Sequence, residues 1–297
     1  MSELSKVMVI VNQSAGRGKT LDLLPSVDKI LGSLKIKYDI RLPENVAQTT
    51  ALAESASQYG YNRIVAMGGD GTVNAVASGL LGSEAILGVI PAGIGNDFFR
   101  VLGIEDDLTD ICRSAVYGKP LTVDVGELNG RPFFNMLGIG FDAKIAQQAN
   151  EAKNNLGIFT YVASIYKALK KQKAYPVKLR IDNLEIEEDV LLIAVGIGRL
   201  SGYGFALTPS AKLDDGKFDV CIAEKVSKLR ILQVLPRVLK GHHVREPEVK
   251  MYRCRQLEIF SESKLPLHME GEIINSLDGK LSIKMSLNKL RVATGVK

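Results

Sequence analysis

Residues 64–74 read Ile-Val-Ala-Met-Gly-Gly-Asp-Gly-Thr-Val-Asn, a stretch that leaves a chain few ways to fold. Ile64–Met67 is an apolar run closed by Gly68-Gly69, which predicts a buried strand. Val73, Val76, Ala77 and Leu80 then recur on one face of a helix. Gly68–Thr72 is therefore a turn from a strand into a helix amino terminus. Such a turn can hold phosphate, because glycines let backbone N–H groups approach an anion and the helix dipole adds positive potential. Asp70 is the odd residue. A carboxylate repels an anion unless a cation lies between them, and nucleotide-bound Mg2+ is the usual one.

Two more loops share this character. Val7–Val11 reads as a short strand, followed by Asn12-Gln13-Ser14-Ala15-Gly16-Arg17-Gly18-Lys19-Thr20 and a helix expected over about Leu21–Leu34. The loop is glycine-rich, basic and at a helix start, so it is a second anion cradle. It is not a P-loop, because GxxxxGK[ST] needs glycine where Gln13 stands. A strand is expected over Lys37–Leu42, a helix over Val46–Tyr59 and a strand over Ile86–Ile90, the last leading into Pro91-Ala-Gly-Ile-Gly-Asn-Asp-Phe-Phe-Arg100. Strands alternating with helices predict a parallel, doubly wound sheet with ligands beyond its carboxyl edge. The three loops fall at that edge. None completes GxGxxG: after Gly93 and Gly95, position 98 is Phe. Asp97, before an apolar helix, also reads as a plain helix cap.

The texture changes after Val123-Asp-Val-Gly-Glu127. Short alternating strands are expected at Phe133–Leu137, Val177–Ile181, Val190–Val195, Phe218–Ala223, Lys250–Glu258 and Leu281–Met285, which predicts a mostly antiparallel second domain. The boundary is placed near 125, giving 1–125 and 126–285, with 286–297 returning to the first domain. Helices at Asn155–Lys173 and Ser227–Lys240 interrupt the second domain. From Lys228 to Arg255 there are eight Lys or Arg against two Glu, which suits either a solvated face or an anionic lipid surface.

GGDGTVN resembles the signature of the diacylglycerol-kinase catalytic domain; NAD kinases and phosphofructokinases carry shorter versions. Asn12–Lys19 resembles that family's NPxxGxGK opening, with Gln13 in place of Pro, and Pro91–Arg100 resembles its PxGTxNDFAR, with Ile94 in place of Thr. The resemblance extends to Asp124, to Pro209–Phe218 and to Glu270-Gly271-Glu272, where the family has DGE. It implies a doubly wound nucleotide-binding α/β domain of NAD-kinase-like topology and a β-sandwich second domain. It also implies ATP in the cleft between the two. Asn12, Gly16, Arg17, Lys19, Gly68, Gly69, Asp70, Gly71, Thr72, Asn74, Gly93, Ile94, Asn96, Asp97 and Asp124 would hold ATP, with Asp70, Asp97 and Asp124 in one carboxylate network around Mg2+. A structural Mg2+ would sit on Asp215 and the carbonyls of Lys212 and Lys217, although Asp214-Asp215-Gly216 is also a good hairpin turn with no ligand. Glu270 or Glu272 would be the general base, with Asp70 assisting catalysis.

The reaction implied is transfer of the γ-phosphate of ATP to a lipid hydroxyl, with diacylglycerol the expected acceptor and phosphatidic acid the product. The rival readings are a soluble-metabolite kinase of the NAD-kinase type and an inactive nucleotide-binding membrane adaptor. Composition is compatible: 46% of the 297 residues are hydrophobic, 24% are charged, and the net charge is +5. That modest excess suits phosphates or an anionic membrane and does not argue for nucleic acid. Cys112, Cys221 and Cys254 have no metal-type spacing and fit a reducing compartment, and three histidines do not suggest a histidine metal site. No signal peptide and no apolar run of about 18 residues is legible, so the expectation is a cytoplasmic protein working peripherally at the inner face of the membrane. A homodimer is left open.

Overall fold

The structure is a computed structural model that describes residues 6–105, 107–152, 158–274 and 279–296. The chain divides into two units: residues 1–123 with 287–297, and residues 124–286. Asp124, Val125 and Ser286 thus fall on the other side of the expected boundaries.

The first unit runs β1 (Lys6–Val11), α1 (Lys19–Ser33), β2 (Lys37–Arg41), α2 (Val46–Gln58), β3 (Arg63–Gly68), α3 (Asp70–Gly79), β4 (Ile86–Pro91), α4 (Asp97–Val101), α5 (Leu108–Tyr117) and β5 (Pro120–Val123). The sheet order is β2-β1-β3-β4, then the chain's last strand, Leu290–Ala293, then β5. Every pairing is parallel except that of the last strand with β5. Val7–Val11 and the whole of β3 are buried, as continuous apolar strands covered on both faces must be. A short 3-10 turn, Ala15–Gly18, precedes α1, so that helix starts two residues earlier than its apolar pattern suggests. Helix α5 was not anticipated. Its start is an Asp cap: Asp107 Oδ1 accepts from Thr109 N at 2.8 Å and Asp110 N at 3.2 Å.

The second unit contains β6 (Gly126–Leu128), β7 (Arg131–Phe133), β8 (Met136–Gly140), α6 (Phe141–Asn150), α7 (Ile158–Lys170), β9 (Tyr175–Ile181), β10 (Leu184–Gly196), β11 (Phe218–Glu224), α8 (Lys228–Leu239), β12 (Val249–Cys254), β13 (Gln256–Ser261), β14 (Leu267–Met269), β15 (Glu272–Ile274) and β16 (Gly279–Met285); the last strand of the chain is then β17. All its strand pairings are antiparallel. The long strand β10 joins its two parts. Leu184–Val190 pairs with β9, and Leu192–Gly196 lies between β8 and β11.

Three expectations change here. The strand foreseen at Phe133–Leu137 is two strands broken at Phe134-Asn135. The one foreseen at Lys250–Glu258 breaks at Arg255, where the Asp182 carboxylate accepts from Arg255 N at 3.0 Å and Gln256 N at 2.9 Å. The helix foreseen at Asn155–Lys173 is α7; residues 155–157 lie outside the described residues. On α7, Tyr161, Ile165, Ala168 and Leu169 face inward and pack with Phe141, Ile145, Leu191 and Phe205. Partly buried Ile231, Leu235 and Val238 of α8 close over the same cluster.

Candidate active site

In the first unit, the three loops foreseen from the sequence meet backbone to backbone. A Cβ on Gly93 would lie 2.4 Å from the Gly69 Cα, and a Cβ on Gly16 would lie 2.3 Å from the Ala92 carbonyl oxygen. Only glycine permits this approach. Short bonds lock the loops together. Asn12 N donates to the Met67 carbonyl at 3.0 Å and Ala92 N to the Gly68 carbonyl at 2.8 Å. Asn12 Nδ2 donates to Thr72 Oγ1 at 2.9 Å. Gly16 and Arg17 both take left-handed backbone, at φ 58 and 60, and the Arg17 and Lys19 side chains are exposed. Asn74 carries a buried amide nitrogen with no hydrogen-bond partner.

Asp70 is the first residue of α3, after Gly69. Its Oδ1 accepts from Phe98 N at 3.1 Å, so it ties the GGDG turn to the start of α4. Burial pushes the Asp70 carboxyl above its ordinary value, and the backbone amides of Phe98, Asp97 and Asn96 pull it back. Asp97 is the first residue of α4 rather than its cap. The cap position belongs to Asn96, at φ 52, whose Oδ1 accepts from Gly93 N at 3.0 Å. A Cβ on Gly95 would lie 3.1 Å from Asp70 Oδ2 and 3.7 Å from Asp97 Oδ2. Two carboxylates therefore flank one glycine beside two helix starts. That donor set of hard oxygens fits a nucleotide-bound divalent cation. Ile94 offers no hydroxyl there.

Asp124 is buried in the second unit. Its N donates to the Leu213 carbonyl and its Oδ2 accepts from Gly216 N, both at 2.6 Å. Its visible work is to hold the Asp214–Gly216 turn. In that turn Asp215 already has both oxygens engaged, Oδ1 by Lys217 N at 3.2 Å and Oδ2 by the Arg253 guanidinium. Arg253 Nε also lies 3.5 Å from Asp219, which is buried and whose carboxyl is pushed up by that burial. The Arg253 guanidinium thus lies against the carboxylate on which the resemblance places a structural Mg2+. Among the described residues, no three His, Cys, Asp or Glu side chains group as metal ligands.

The acidic turn separates its two glutamates. Glu270 (φ 56) and Gly271 (φ 82) form the two-residue connection between β14 and β15. Glu270 Oε1 accepts from Phe134 N at 2.8 Å and Asn135 N at 2.7 Å, which accounts for the break between β7 and β8. Glu272 is exposed and makes a loose surface ion pair with Arg131 at 3.7 Å. Beneath the turn lies a pair absent from the sequence reading. His268 and Asp142 are both buried, with Nε2 and Oδ2 2.8 Å apart. A histidine on a short alternating strand two residues before the acidic motif was the available signal.

The second unit also holds an apolar cavity of about 100 Å³, lined by Phe141, Tyr161, Leu191, Phe205, Ile231 and Leu235 among others, with Asp142 at its wall. The outer faces of α7 and α8 expose Phe159, Val162, Tyr166, Leu229 and Leu232. No described helix is long and apolar enough to cross a membrane.

Comparison with known proteins adds to this geometry. Residues 6–128 match the family model described as diacylglycerol kinase catalytic domain. Residues 135–293 match the one described as YegS C-terminal NAD kinase beta sandwich-like domain. A diacylglycerol kinase of Staphylococcus saprophyticus is 27% identical over 286 residues, covering 95% of this chain and 94% of the relative. One from Staphylococcus aureus strain MRSA252 is 29% identical over 272 residues, covering 90% and 86%. A crystal structure of a diacylglycerol kinase from Bacillus anthracis strain Sterne aligns over 99% of this chain and 98% of its own, with a TM-score of 0.76 and 22% identity. Another Bacillus anthracis Sterne structure aligns at a TM-score of 0.82 and 23% identity over 99% of both chains.

Proposed function

Because the chain belongs to the diacylglycerol-kinase catalytic-domain family and carries the YegS-type NAD kinase beta sandwich-like domain, we propose that it is an ATP- and Mg2+-dependent lipid kinase. It transfers the γ-phosphate to a lipid hydroxyl, with diacylglycerol as acceptor and phosphatidic acid as product. The observation that carries this reading is the pair Asp70 and Asp97 around Gly95, set among glycine loops that close on one another at the starts of α3 and α4.

Phosphoryl transfer asks a protein mainly for positioning and charge compensation. The loop amides, Arg17 and Lys19 hold the phosphates. Asp70 and Asp97 would hold Mg2+, which would supply neutralisation of phosphate charge when bound. Glu272 takes the acceptor hydroxyl's proton: its carboxylate is exposed, whereas that of Glu270 is committed to two backbone amides. The apolar cavity of the second unit suits an alkyl chain and offers little to a nicotinamide nucleotide, which favours lipid over a soluble metabolite. Exposed Phe159, Tyr166 and Leu229, with Lys167 and Lys170 at the end of α7, suit an anionic membrane surface.

The test offers ATP and Mg2+ with either diacylglycerol in anionic vesicles or soluble NAD. Phosphatidic acid formed from the vesicles supports the reading. A phosphorylated dinucleotide, or no transfer to any lipid, overturns it.

A further inference from the structure

The His268–Asp142 pair lies outside every role assigned above. His268 stands in the middle of β14, opposite Gly138 of β8, and both members of the pair are 2% exposed. On one side of the ring, Nε2 is 2.8 Å from Asp142 Oδ2. On the other, Nδ1 accepts from Gly271 N at 3.2 Å. A ring nitrogen that accepts carries no proton, so the proton is on Nε2 and is donated to Asp142. Gly138 leaves room for this: a Cβ there would lie 2.1 Å from His268 Nε2 and 2.2 Å from Asp142 Oδ2.

The turn above is fixed from several directions. Glu270 N donates to the Met136 carbonyl at 2.9 Å, and Asn150 Nδ2 donates to the Gly271 carbonyl at 2.9 Å. The Glu270 carboxylate is anchored at Phe134 and Asn135. His268 supplies a further anchor, to Gly271 N, one residue before Glu272. Asp142 is the second residue of α6 and also borders the apolar cavity.

We propose that Asp142 and His268 are positioning residues for Glu272. Asp142 fixes the tautomer and tilt of the imidazole. The imidazole fixes Gly271, and Gly271 aims the one exposed carboxylate of the turn at the acceptor hydroxyl. This rests on the lipid-kinase reading. A general base must be in reach before its proton affinity matters, and a displacement of about 1 Å can cost on the order of a hundredfold in rate.

The test is a double-mutant cycle on the full chain with ATP, Mg2+ and diacylglycerol vesicles. His268→Gln keeps an amide near the Nε2 position for Asp142 and loses the Nδ1 acceptor. It is expected to lower kcat at least tenfold with KM for ATP within twofold of wild type. Asp142→Asn keeps an oxygen to accept from Nε2 and is expected to stay within about threefold of wild type. In the Glu272→Gln background, His268→Gln is expected to add less than twofold, because both changes act through one carboxylate. Full kcat in folded His268→Gln, or additive losses in the cycle, overturns the proposal. If His268→Gln does not fold, the 15N spectrum of the wild-type imidazole at pH 8 decides: a proton on Nε2 supports the arrangement, and one on Nδ1 contradicts it. Absence of any lipid phosphorylation by wild type overturns the kinase reading itself, an outcome distinct from either.

Discussion

Glu270 adopts a left-handed backbone, at φ 56, and Gly271 follows at φ 82, so the link from β14 to β15 is a two-residue hairpin turn with both φ positive. Asp-Gly fits that turn with little strain and Glu-Gly fits it less well. The related DGE pattern is the sterically easier form. The longer side chain of Glu270 reaches two amides across the sheet instead, at positions 135 and 136 residues away in sequence. That distance is why the different bonding of the two glutamates was not legible in the sequence, although the acidic stretch itself was. Glu270→Gln keeps one acceptor oxygen but loses its charge. It is expected to lower stability by about 1–2 kcal/mol in denaturant unfolding and to retain most of kcat. Glu272→Gln is expected to unfold like wild type and to lose at least a hundredfold in kcat. The reverse pattern would assign the proton transfer to Glu270.

The loops of the first unit were legible as elements because glycine, apolar strand and helix start are local signals. The contacts between them were not, yet they explain the glycines. Gly93→Ala would drive a Cβ to 2.4 Å from the Gly69 Cα and force the two loops apart. ATP affinity is expected to fall at least tenfold by calorimetry, and unchanged affinity would remove this contact from the nucleotide site. Helix α6 went unread because Phe141, Ile145 and Ala146 are embedded in a run of short strands and follow Gly140 directly. The Asp214–Gly216 turn was legible as a turn, but the cation beside it comes from β12. Arg253→Gln would leave buried Asp219 and half-buried Asp215 without that guanidinium, at an expected cost of about 1–3 kcal/mol. With the guanidinium present, adding or chelating Mg2+ is expected to leave the Tm of the nucleotide-free protein unchanged. A rise in Tm with Mg2+ that Asp215→Asn abolishes would show that metal displaces Arg253.

At the scale of the whole chain, the order of parallel then antiparallel strands followed from the change of texture near residue 125 and from the family resemblance, and the place of β17 between β4 and β5 did not. The cavity did not, because its walls come from helices and strands spread over residues 141–249. The exposed apolar and basic residues of α7 bear on where the chain works. Replacing Lys167, Lys170 and Lys171 together by Gln is expected to weaken sedimentation with anionic vesicles by on the order of a hundredfold at low salt, at about 1 kcal/mol per lysine, while ATP affinity is retained; unchanged sedimentation would place the membrane contact elsewhere. The most direct measurement of the account is incubation of γ-labelled ATP and a total lipid extract with wild type and with Asp70→Asn in parallel. The account predicts one labelled lipid, identified as phosphatidic acid, formed by wild type and reduced at least a hundredfold with the folded variant. Label confined to water-soluble products, or equal lipid labelling by both proteins, would contradict it.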